Sequence, residues 1–98
     1  MVKKVNNENG LAVYNYVKAH EDENVTAAEI AEAIDLPVKT VNGIITMTFQ
    51  RNRDADKNIV PLMERVVGEI EQEDGSHKSV KFIKLTAEGR AAEVSLKD

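Results

Sequence analysis

The side chains capable of chemistry in this sequence are mainly carboxylates and amides. There is no cysteine, which excludes disulfides and thiol nucleophiles. A zinc ion would have only His, Asp and Glu to bind it. His20 and His77 lie far apart and form no helical i, i+4 pair. Ser76 and His77 are neighbours on a turn, with no third partner to orient them. The carboxylates are scattered over helix faces, and no pair is placed to drive two pKa values apart. No glycine-rich phosphate loop is present. These observations predict a protein that is not an enzyme, with no cofactor and no metal. His77 is expected as an exposed turn residue and His20 as a helix-end residue.

One stretch carries a more pointed set of side chains. Lys39, Thr40, Asn42, Gly43, Thr46, Met47 and Gln50 lie opposite the apolar positions Val41, Ile44, Ile45, Thr48 and Phe49 of a helix running from about Pro37 to Gln50. Asn and Gln amides can pair bidentately with adenine, and lysine can pair with guanine. Arg51, Arg53 and Lys57 follow directly and suit phosphate contacts. The 98-residue chain has a formal net charge of −4, which on its face argues against nucleic acid. The charge is segregated, however. Residues 38–57 hold Lys39, Arg51, Arg53 and Lys57 against Asp54 and Asp56, whereas every other stretch is net negative. The positive segment is therefore the one whose residue types fit DNA.

The elements that must hold this set follow from periodicity and punctuation. Leu11, Tyr14 and Val17 mark a first helix from Gly10 to His20, ended by the acidic loop Glu21-Asp22-Glu23-Asn24. Thr26 and Glu29 form a capping box ahead of a short helix with Ile30, Ala31 and Ile34 on its apolar stripe. Pro37 closes that helix at Leu36 and opens the next. Leu62 to Glu71 reads as a strand, with Leu62, Val66 and Ile70 on one face and Arg65, Glu69 and Glu71 on the other. Asp74-Gly75 predicts a hairpin turn, and Lys78 to Leu85 is the return strand. Thr86 caps a last helix running to about Leu96, with Gly89 as its weak point. A single domain over residues 1–98 is expected, with residues 1–9 as a flexible N-terminal tail. Hydrophobic residues are 42% of the chain, but no apolar run is long enough to span a bilayer. Met1–Gly10 lacks the apolar core of a signal peptide, so no membrane association and a cytoplasmic location are expected.

This order resembles the winged helix-turn-helix regulators of bacteria, especially the MarR-like and PadR-like groups. The resemblance is carried by Val25-Thr26-Ala27-Ala28-Glu29-Ile30-Ala31-Glu32-Ala33-Ile34 as scaffold helix and Pro37-Val38-Lys39-Thr40-Val41-Asn42-Gly43-Ile44-Ile45 as recognition helix. Leu62-Met63-Glu64-Arg65-Val66 matches the first wing strand, and Leu85-Thr86-Ala87-Glu88-Gly89-Arg90-Ala91 the segment closing the wing. It covers residues 10–96. It implies an α+β, mostly helical fold in the order α-α-α-β-β-α, with a two- or three-stranded antiparallel wing. It further implies a small DNA-binding transcriptional regulator, bacterial or phage, that inserts the helix 38–50 in the major groove of double-stranded DNA. Lys39, Thr40, Asn42, Thr46 and Gln50 would then contact bases, and Arg51, Arg53, Lys57, Lys78 and Lys81 the backbone. The acidic wing tip, with Glu73 and Asp74, would repel phosphate, so the wing is expected to contribute little. The long flanking helices through which such regulators dimerise are missing, and a monomer or weak homodimer is expected. The acidic balance supports an alternative: a winged-helix interaction module whose partner is a protein, such as a polymerase subunit, a regulator or another nucleic-acid-binding protein.

Overall fold

The structure is a computed structural model that describes residues 2–53 and 56–97. Along the chain it runs β1 (Val2–Val5), α1 (Glu8–Ala19), β2 (Val25–Thr26), α2 (Ala27–Ile34), α3 (Val38–Ile44) and a π-helical turn (Ile45–Gln50). It continues with β3 (Met63–Glu71), β4 (His77–Leu85), α4 (Ala87–Ala91) and β5 (Glu93–Leu96). The expected α-α-α-β-β-α order and mostly helical content are therefore corrected. Helices and strands interleave as β-α-β-α-α-β-β-α-β, an α+β arrangement in two small sheets.

The three additional strands exist because of distant partners. β1 pairs in parallel with β5, from Val2 opposite Glu93 to Val5 opposite Leu96. The expected N-terminal tail thus carries a paired strand, and Asn7 beyond it caps α1 by accepting from the Gly10 N–H at 3.1 Å. β5 replaces the second half of the expected last helix, which stops at Ala91 because Ala92 turns to extended backbone. β2 is two residues long and pairs with β4, Val25 opposite Ile83 and Thr26 opposite Phe82.

Local signals elsewhere take the expected form. The Thr26 hydroxyl accepts from the Glu29 N–H at 3.2 Å, and the Glu29 carboxylate accepts from the Thr26 N–H at 3.3 Å, completing the capping box of α2. Asp35 adopts φ 57° at the end of α2, and Pro37 begins the next turn in extended backbone. The Val41 N–H donates to the Pro37 carbonyl at 3.1 Å, and three residues, Asp35 to Pro37, separate α2 from α3. Gly75, at φ 85°, closes the β3–β4 turn, where a left-handed residue is required.

The core joins α1 (Val13, Tyr14, Val17), α2 (Ile30, Ala31), Val41, Ile45 and Phe49, and the base of the hairpin (Met63, Ile83, Leu85). Val41, Ile45 and Phe49 are each fully buried at a spacing of four residues. On an α-helix such a series drifts by only about 40° per step and stays within one apolar face. Val41 belongs to α3, while Ile45 and Phe49 belong to the π-helical turn, closed by the Arg51 N–H on the Thr46 carbonyl at 3.0 Å. Ile44 and Thr48, expected on the buried face, are only half-buried.

Candidate nucleic-acid interface

The α2–α3 unit sets which side chains of residues 38–50 reach solvent. Lys39, Thr40, Gly43 and Met47 are exposed, Met47 being 64% accessible. Nothing lies within 4 Å of where a Cβ on Gly43 would stand, so this face is open. Arg51 is exposed at the end of the helix, its Nη1 3.7 Å from the Met47 sulfur. These residues form one outward surface of cationic, hydroxyl and thioether groups.

Asn42, Thr46 and Gln50 do not belong to that outward surface. They are half-buried on the flank turned toward β3. There Arg65 gathers two of them. Its Nη2 donates to the Asn42 Oδ1 at 3.0 Å and lies 3.4 Å from the Asn42 carbonyl, while its Nη1 donates to the Gln50 Oε1. Partial burial lowers the Arg65 pKa below the usual guanidinium value, though such a group remains charged at neutral pH. Arg65 is the site residue that sequence reading missed. Strand alternation grouped it with Glu69 and Glu71. The pairing of Met63 with Leu85 and of Arg65 with Ile83 instead puts this end of that face against the core. Val66 and Ile70, on the alternate face, are exposed. The odd-numbered face leaves the core as the hairpin extends, which is why its outer half can be charged.

The hairpin supplies two further cations. Lys78 and Lys81 line a groove with Val38 and Asn42 of α3, the start of α2, and Ile70 and Val80. Glu29 also lines this groove, but its carboxylate is occupied by the Thr26 cap. Beyond the helix, Arg53 pairs in a β-bridge with Ile59, and Lys57 stands exposed at φ 66°. Between them, positions 54 and 55 lie outside the described residues. The hairpin tip is acidic, as expected, with Glu69, Glu71, Glu73 and Asp74 all exposed. Asp74 accepts from the Ser76 hydroxyl at 2.6 Å and from its N–H at 2.9 Å, and these bonds hold its carboxyl below the usual carboxylate range. His77 is exposed beside Glu69 at 3.9 Å, and His20, half-buried, ends α1 with its Nδ1 2.9 Å from the Tyr16 carbonyl.

Among the described residues no helix is long and apolar enough to cross a membrane. Comparison with protein families, with curated proteins and with solved structures finds no match for this chain.

Proposed function

We propose that this chain is a small duplex-DNA-binding protein, of the kind that regulates transcription in the cytoplasm, with the helix 38–50 laid in the major groove. The observation that carries the reading is the outward face of that helix. It is joined by a three-residue turn to a capped helix, and its exposed groups are Lys39, Thr40, Gly43 and Met47, with Arg51 at its end. A helix so presented fits the width of a B-DNA major groove. Lys39 and Thr40 meet bases first, Asn42 reaches them from the flank, and Arg51, Arg53, Lys57, Lys78 and Lys81 contact phosphates. Thr46 and Gln50 sit deeper and contribute less directly. The resemblance of residues 10–96 to MarR-like and PadR-like regulators is part of the same proposal, as is binding as a monomer or weak homodimer.

Fluorescence anisotropy with mixed-sequence duplex at low and moderate salt tests it. Binding should weaken steeply with salt, and Arg51→Gln and Arg53→Gln should each reduce the slope of log affinity against log salt by roughly one. Absence of binding at low salt would refute it. A second reading is favoured by the exposed Val66, Val67 and Ile70 on a hairpin with an acidic tip. Such a surface suits a basic protein partner, and a stoichiometric complex that survives nuclease while no duplex binds would select it.

A further inference from the structure

We infer, resting on the DNA reading above, that Arg65 is a positioning residue which makes Asn42 a hydrogen-bond donor toward the groove, so that the helix selects guanine and disfavours adenine at the base it reads. A guanidinium has five N–H donors and no acceptor, and so it can bind an amide only by its oxygen. Arg65 does this twice, at the Oδ1 of Asn42 and the Oε1 of Gln50. The second contact fixes the plane of the guanidinium, and the first fixes the rotamer of Asn42. The Nδ2 amine of Asn42 is thereby turned away from Arg65, on the residue that lines the groove with Lys78 and Lys81.

The bidentate pairing of asparagine with adenine uses both ends of the amide: the oxygen accepts from N6 and the amine donates to N7. With its oxygen turned to Arg65, Asn42 cannot lay both ends of its amide on one adenine edge and leads with the donor half. Guanine presents two acceptors in the major groove, O6 and N7. An amide N–H, with the two lysines beside it on the phosphates, matches that edge and meets the N6 amine of adenine with another donor. Arg65 is held by neutral oxygens here: the salt bridges among the described residues, His77–Glu69 and Arg90–Glu21, do not involve it. A carboxylate partner would draw the guanidinium away from the amides, and the donor polarity of Asn42 would be lost.

The test is selection from a random duplex pool, followed by affinity measurements on G- and A-substituted sites, for wild type, Arg65→Met and Asn42→Asp. Wild type should prefer guanine to adenine at one position by about 5- to 150-fold, the discrimination expected of one well-formed base contact. Arg65→Met frees the amide to rotate, and the guanine preference should disappear or pass to adenine. Asn42→Asp keeps the contact with Arg65, now as an ion pair, and therefore the fold, but presents only acceptors, so the guanine preference should vanish even if Arg65→Met cannot be purified. Circular dichroism melts establish that the variants are folded, and a merely structural Arg65 would change affinity without changing base preference. Wild-type selection of adenine, or retention of the guanine preference in either folded variant, overturns the inference while leaving DNA binding intact. Failure of wild type to bind any duplex at low salt overturns the DNA reading itself.

Discussion

Two glycines in helices should respond in opposite directions to the same substitution. A Cβ built on Gly89 would stand 1.9 Å from the carbonyl oxygen of Leu62 and 2.9 Å from its carbon. Ordinary carbon contacts begin near 3.5 Å, so backbone must move by more than about 1 Å. It has little freedom to do so. The Leu62 carbonyl accepts from the Thr86 N–H at 3.1 Å, the Leu62 N–H donates to Phe49 at 2.9 Å, and the Leu62 side chain is fully buried. On the other side, the Gly89 carbonyl accepts from the Tyr14 hydroxyl at 2.6 Å. Overpacking costs about 1–3 kcal/mol, and disrupting one buried hydrogen bond costs about 1–3 kcal/mol more. The better helix propensity of alanine returns about 1 kcal/mol. Gly89→Ala should therefore destabilise by roughly 3 kcal/mol, lowering Tm by about 12–24 °C for a domain of this size. Gly43→Ala meets no atom within 4 Å and should gain up to about 1 kcal/mol, raising Tm by about 4–8 °C. Calorimetric melts of both variants, with urea midpoints as a second measure, check the pair. A Gly89→Ala melt within about 4 °C of wild type would show that the contact relaxes freely, and the packing argument would fail.

Two further outcomes follow from local hydrogen bonds. Thr26→Ala removes the hydroxyl that accepts from Glu29 and should cost about 1 kcal/mol, seen as a drop in the urea midpoint at unchanged slope. At the hairpin tip, the Asp74 carboxyl should titrate below the usual aspartate value near 4 when followed by NMR, and Ser76→Ala should move it back up, because the Ser76 hydroxyl bond is the main cause of the shift. The sign fixes the window. A depressed folded pKa contributes stability that is present above the unfolded value and lost as pH falls through the folded one. The tip should therefore loosen only in acid, and invariant Asp74 titration in Ser76→Ala would count against the assignment.

What the sequence determined by itself was whatever is closed within a few residues. The Thr26–Glu29 capping box, the Pro37 start of α3, the Asp74-Gly75 turn and the Thr86 cap are all written in neighbouring side chains, because the bonds that make them span two to four positions. The outward Lys39 and Thr40 were legible for the same reason, since helical period alone puts them opposite Val41 and Ile45. Tertiary structure decided the rest. β1 and β5 are short and partly polar, and each becomes a strand only because the other end of the chain lies beside it. β2 is too short to carry any period and exists by pairing with Ile83 and Phe82. Alternation along β3 defined two faces but not which one meets the core, so Arg65 was grouped with exposed carboxylates and its hold on Asn42 and Gln50 was hidden. Gly89 read as a weak point in a helix until the Leu62 carbonyl was seen to fill the space of its absent side chain. Contacts of this kind depend on the partner's position in space, and no local pattern in one segment encodes it.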